Sequence, residues 1–128
     1  MSFLNSKEQI KSILKTFIQN HEIAKKKLMD GISDNIFRVP NDDIYWAYVT
    51  YDKALLSENI LYFMDEKRSG SSIAEYIERQ LEEAETESKQ FLHRIDIRFE
   101  EMLRMKSKRY LCTCRQKFDF MVEYFRKM

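Results

Sequence analysis

From residue 72 to Met128 the chain contains neither glycine nor proline, and in the whole sequence only Gly31, Gly70 and Pro40 could interrupt a helix. Ordinary proteins carry about 7% glycine and 5% proline, so turns here are few and elements long. That predicts an all-α fold. With 128 residues the chain has the size of one domain, able to bury roughly two thirds of the surface its unfolded form exposes. A hydrophobic fraction of 44% beside 34% charged residues argues for amphipathic helices rather than disorder, because that apolar content offsets the ordering entropy.

Two capping boxes and two stop signals divide the chain. Ser6-Lys7-Glu8-Gln9 has the S-x-x-Q form that opens a helix. Ile10, Leu14, Phe17, His21, Ala24 and Leu28 then recur at spacings of three and four, and Asp30-Gly31 reads as a stop, giving a helix over about 7–29. "GISDNIFRVPNDD" follows as a long connection that Ile36, Phe37 and Val39 could pin. A second helix, about 42–68, starts at an Asn41 or Asp42 cap and ends with Lys67-Arg68 before Gly70. Its opening "IYWAYVTY" is the densest aromatic patch in the chain, and reads as a central bundle helix apolar on more than one side.

Ser72-Ile73-Ala74-Glu75 is the second capping box. The stripe Ile77, Leu81, Ala84, Leu92, Ile95, Phe99 and Met102 continues after a polar stretch as Leu111, Cys114, Phe118, Met121, Phe125 and Met128, in heptad order. One helix over 72–128 would be roughly 85 Å long, too long to pack wholly on two helices of about 25 residues. The expectation is therefore helices at about 72–104 and 107–128, continuous or broken near "RMKSKR", 104–109. The fold is a single domain, 1–128, an antiparallel bundle of three or four helices with a long, coiled-coil-like C-terminal region.

Charge is segregated. Lys and Arg against Asp and Glu number six to two over 1–29, two to eight over 30–66, three to seven over 72–97 and nine to four over 98–128. Opposed blocks pair if the C-terminal region folds back, or if two chains lie antiparallel; such blocks select partners more than they supply affinity.

Chemistry has few places to reside. Cys112 and Cys114 lie about 200° apart on a helix, so Cys114 joins the apolar stripe while Cys112 points toward the polar side with Gln116 and Asp119. Neither His21 nor His93 has the companion ligands of a zinc site. His93 shares a face with Asp96, but no nucleophile stands beside the pair. Glu-x-x-His pairs and Gly-rich phosphate loops are both missing, so the reading is of no enzyme, no metal and no cofactor. The 91–103 segment has groove-binding anchor spacing at Leu92, Ile95, Phe99 and Met102, for which a core stripe is the commoner explanation.

The expected function is a non-enzymatic protein–protein interaction module: an adaptor, a chaperone-like accessory protein or a small inhibitor of a larger target. Its contact surface would be Leu111, Cys114, Phe118, Met121 and Phe125, with self-association as a homodimer because these side chains exceed what a thin bundle hides. The alternative is a nucleic-acid-binding transcriptional regulator using Arg104, Lys106, Lys108, Arg109, Arg115 and Lys117. No apolar run is long enough for a membrane span and the N-terminus lacks secretory signal character, so a cytoplasmic location is expected.

Overall fold

A computed structural model describes residues 5–35, 38–91 and 96–128 of the chain, with the side chain of Phe91 outside the description. Ile36, Phe37, Leu92, His93 and Ile95, to which the sequence assigned roles, lie outside the described residues. Among those described there are six helical segments and no strands: α1 (Ser6–Asn35), α2 (Asn41–Val49), α3 (Tyr51–Asp65), α4 (Gly70–Phe91), α5 (Phe99–Thr113) and α6 (Arg115–Arg126). Thr50 alone separates α2 from α3, and Cys114 alone separates α5 from α6. The architecture is an all-α helical bundle whose members are α1, the α2–α3 rod, α4 and the α5–α6 rod.

Local chemistry moves several boundaries. Asn5 rather than Ser6 caps α1, its Oδ1 accepting the Glu8 N–H at 2.9 Å. Helix α1 then runs through Gly31 to Asn35, because a glycine inside a helix costs only about 1 kcal/mol and does not by itself end one. Ser69, three residues before the expected cap, accepts the Ser72 N–H at 3.3 Å, and α4 begins at Gly70. The stop between α3 and α4 is made by Lys67, which takes the left-handed position with φ 56°. Two bonds close it, Lys67 N–H to Met64 O and Arg68 N–H to Phe63 O, each 3.1 Å, the pattern that usually employs glycine. Gly70 has another role: a side chain there would overlap the carbonyl oxygen of Phe125 at the end of α6.

The expected rod 42–68 is bent at Thr50. Its hydroxyl donates to Trp46 O at 2.7 Å, a back-bond that bends helices. Ser107 of α5 stitches the bend: its Oγ accepts the Asp52 N–H at 3.2 Å and donates to Val49 O at 3.3 Å. Buried backbone groups loosened by the bend thereby keep partners. The C-terminal region departs further from expectation. The expected helix 72–104 ends at Phe91, residues 96–98 are non-helical, and α5 starts at Phe99 and runs unbroken through 104–109; a further interruption falls at Cys114, with φ −96° and ψ 12°.

One hydrophobic core joins the four rods. Ile10, Leu14 and Phe17 of α1 meet Leu56 and Ile60 of α3, while Ile73, Ile77, Leu81 and Ala84 of α4 meet Leu111, Phe118, Met121 and Phe125. Phe17 and Phe118 touch across the bundle, ring centroids 5.6 Å apart. Beside them lies Lys53, only 3% exposed, its ammonium 4.4 Å from the Phe17 ring centre and 4.2 Å from that of Tyr110. Two ring faces offset part of the loss of water around that cation, about 0.5–2 kcal/mol each. The segregated charges pair within the chain: Arg126 with Glu78, Arg115 with Glu85 at 3.0 Å, Lys108 with Glu87 at 3.9 Å and Lys27 with Asp43 at 3.5 Å.

Candidate functional site: an aromatic stripe and cleft on the bent rod

The side chains expected to form an interaction surface belong mostly to the core. Leu111, Phe118, Met121 and Phe125 are at most 3% exposed and pack against α4 and α1, while Cys114 is half-buried at the helix break. The sequence pattern marks an apolar face correctly but cannot say whose helices cover it; here α4 does. Both thiols are free and both lean on the core: Cys112 lies two helical turns after the buried Met105 on one face of α5, and Cys114 sits at the break. Burial, reinforced by the nearby Glu85 carboxylate, pushes the Cys112 thiol above its ordinary range, which disfavours the reactive thiolate. Among the described residues no group of three or more His, Cys, Asp or Glu is placed to hold a metal ion.

Part of the basic run has partners within the chain, although Arg104, Arg109, Arg115 and Lys117 are exposed. Lys108 bonds Asp52 at 3.2 Å, Arg115 reaches Glu85 and Asp119, Lys106 lies 5.2 Å from the Tyr45 ring centre and Lys117 5.4 Å from that of Phe17. Arg104 stands apart, exposed on the rim of a cleft. Arg109 is exposed on α5.

What remains exposed and apolar lies elsewhere. Tyr48, Tyr51, Leu55 and Tyr62 are 44%, 51%, 40% and 57% exposed, and their spacings of three, four and seven put them along one face of the α2–α3 rod. The opposite face, with Val49, Lys53, Leu56, Ser57 and Ile60, is buried. Where the rod bends, α1 and α5 rise on either side and enclose a cleft of about 640 Å³. Ala47, Tyr48 and Tyr51 form its floor; His21 and Lys25 stand on the α1 side, and Glu100, Glu101, Arg104 and Lys108 on the α5 side. Its size matches sites that hold a side-chain cluster or a small molecule, roughly 300–1,000 Å³.

His21 is the fixed point of that cleft. Because the Thr50 hydroxyl donates its proton to Trp46 O, its oxygen must accept from His21 Nδ1–H across the 2.9 Å contact. The neutral ring therefore carries its proton on Nδ1 and keeps Nε2 as an acceptor. Burial holds the imidazole below its usual range; Lys25 pushes the same way, while Glu22 and Glu58 oppose. The Tyr51 ring meets it edge-on with centroids 5.7 Å apart.

Sequence reasoning saw His21 only as a stripe residue and the 44–51 aromatics only as central helix. A signal for the exposed stripe existed: Tyr48, Tyr51, Leu55 and Tyr62 form a second heptad row beside the buried one. Compared with known proteins, the chain matches no family model, no curated protein and no solved structure.

Proposed function

We propose that the protein is a non-enzymatic helical interaction module whose contact surface is the Tyr48–Tyr51–Leu55–Tyr62 row of the α2–α3 rod with its adjoining cleft. The observation that carries this reading is the exposure of three tyrosines and a leucine in helical register on a rod whose other face is fully packed. Tyrosine suits contact surfaces because it offers a large, stiff apolar area and a hydroxyl that tolerates water. The C-terminal heptads supply the core that holds the rod in place. Lys106, Lys108, Arg115 and Lys117 have partners within the chain, and the nucleic-acid reading of the 104–117 segment stands second to this one.

A photo-activatable residue tests the reading when introduced in place of Tyr51 and, as a control, in place of Glu75, which is exposed on α4. Irradiation in the native cell is expected to yield covalent adducts with a polypeptide from position 51 and none from position 75. Equal yields at both positions, or none at either, would contradict it.

A further inference from the structure

The charged side chains that line the cleft at the bend balance one another. Lys25, Arg104 and Lys108 stand against Asp52, Glu100 and Glu101, so a charged group entering the cleft meets as many like charges as opposite ones. Several of its polar groups are already committed. Asp52 and Lys108 pair at 3.2 Å, the Ser107 hydroxyl serves the Asp52 N–H and Val49 O, and Glu101 likewise interacts within the chain. Lys25, Glu100 and Arg104 are exposed to water. One neutral, half-buried acceptor is left for a guest. His21 gives its Nδ1–H to Thr50 at 2.9 Å, and Thr50 is only 5% exposed, so the polar atom that the ring offers the cleft is Nε2. The floor beside it is Ala47 with the Tyr48 and Tyr51 rings.

A guest suited to these walls is flat, apolar and uncharged, and brings a hydrogen-bond donor that asks for no donor in return. Indole has this character: its N–H is a donor only, and its rings pack edge-on or offset against tyrosine. A phenylalanine ring would leave Nε2 covered and unpaired. Tryptophan is also among the side chains most enriched at the energetic centres of protein contacts. We infer that the cleft receives a tryptophan side chain of the partner polypeptide, its indole N–H donating to His21 Nε2 against the Tyr48 and Tyr51 rings. This rests on the interaction reading above and names what the partner inserts.

A pair of isomers separates hydrogen-bond donation from shape. 3-Methylindole is the tryptophan side chain itself and keeps the N–H; 1-methylindole carries its methyl group on the nitrogen and has no proton to give. Titrated into the intact protein at about pH 7.5, where the imidazole is neutral, 3-methylindole is expected to bind saturably with a Kd of about 1 mM, ordinary for a ring this small. 1-Methylindole binds about ten-fold more weakly, for want of one buried hydrogen bond. In nitrogen NMR spectra the His21 Nε2 resonance moves with the first isomer and stays in place with the second. N-acetyltryptophanamide, which keeps a peptide bond on either side, binds as 3-methylindole does. No saturable binding of 3-methylindole, equal affinity for the two isomers, or an unmoved His21 resonance overturns the proposal. So does tighter binding of 4-methylphenol, which would make the guest a tyrosine, or exclusion of N-acetyltryptophanamide, which would make it a free indole. A position-51 photo-adduct without indole binding overturns the tryptophan and leaves the interaction reading standing. Indole binding without any adduct removes the interaction reading, and the partner's tryptophan with it.

Discussion

At the scale of single residues, His21 ties α1 to the bend in the α2–α3 rod through Thr50. Its pKa is lowered from the ordinary 6.5 on folding, chiefly by burial. The unfolded chain therefore takes up this proton more readily than the folded one. The contribution is fully present above about pH 6.5 and is lost as pH falls below that value toward the lower folded pKa. Thermal unfolding is expected to shift downward between pH 7 and 5.5, and His21→Gln to flatten that segment of the profile. Glu66 and Glu85 are also lowered on folding, by hydrogen bonds from Tyr62 and from Lys89 first, but from 4.5, so their loss falls in a separate, more acidic window. An unchanged profile in His21→Gln would remove the histidine as the cause. The stripe position of His21 was legible in the sequence. Its partner was not, because Thr50 lies 29 residues away and faces inward only once the rod bends. Ser107 and Lys53 were hidden for a similar reason: each is a polar residue whose burial depends on neighbours from other helices.

At the scale of elements, the two glycines show what a one-dimensional stop signal leaves out. Gly31 and Gly70 both look like helix terminators, yet Gly31 lies inside α1 and Gly70 opens α4. An added Cβ meets nothing within 4 Å at Gly31, but at Gly70 it overlaps Phe125 O and comes within 2.9 Å of Met128 Cβ. Gly31→Ala is therefore expected to stabilise the protein by about 0.5–1 kcal/mol, the ordinary helical gain. Gly70→Ala is expected to destabilise it by about 1–3 kcal/mol, as overpacking does. Denaturant unfolding checks both, and equal effects would show that the close approach of α4 to α6 is misplaced. Helix existence was legible because the three-four periodicity is strong over α1, α4 and α6, while the α2–α3 rod, apolar on more than one side, was legible from a good helix sequence with no turn signal inside it. Boundaries were less so, since caps one to three residues away compete with those that fit the consensus: Asn5 against Ser6, Ser69 against Ser72.

At the scale of the molecule, the alternating charge blocks fitted equally a C-terminal region that folds back and two chains lying antiparallel; within the chain α4 pairs with α5 and α6 through Glu78, Glu85 and Glu87. The heptad row 111–128 was also legible as an apolar face. Its use was not, because a helix that covers its own chain and one that covers a partner leave the same pattern in sequence. The structure resolves this by burial: the face that looked suited to a partner is core, while a tyrosine-rich row that looked like core reaches solvent. Location fares similarly, for among the described residues no helix is long and apolar enough to cross a membrane, which narrows the possibilities without choosing a compartment.

The exchange of roles between those two faces is best tested by comparing the thermal unfolding of Phe118→Glu and Leu55→Glu by circular dichroism. A carboxylate at the fully buried Phe118 costs several kcal/mol against a total stability of about 5–15 kcal/mol, so cooperative unfolding should be lost or fall sharply in temperature. Leu55→Glu, on the exposed row, should melt within a few degrees of the parent measured at a concentration where the parent is monomeric. A Phe118→Glu chain that keeps the parent's helicity and melting while Leu55→Glu unfolds would contradict the assignment of core and surface.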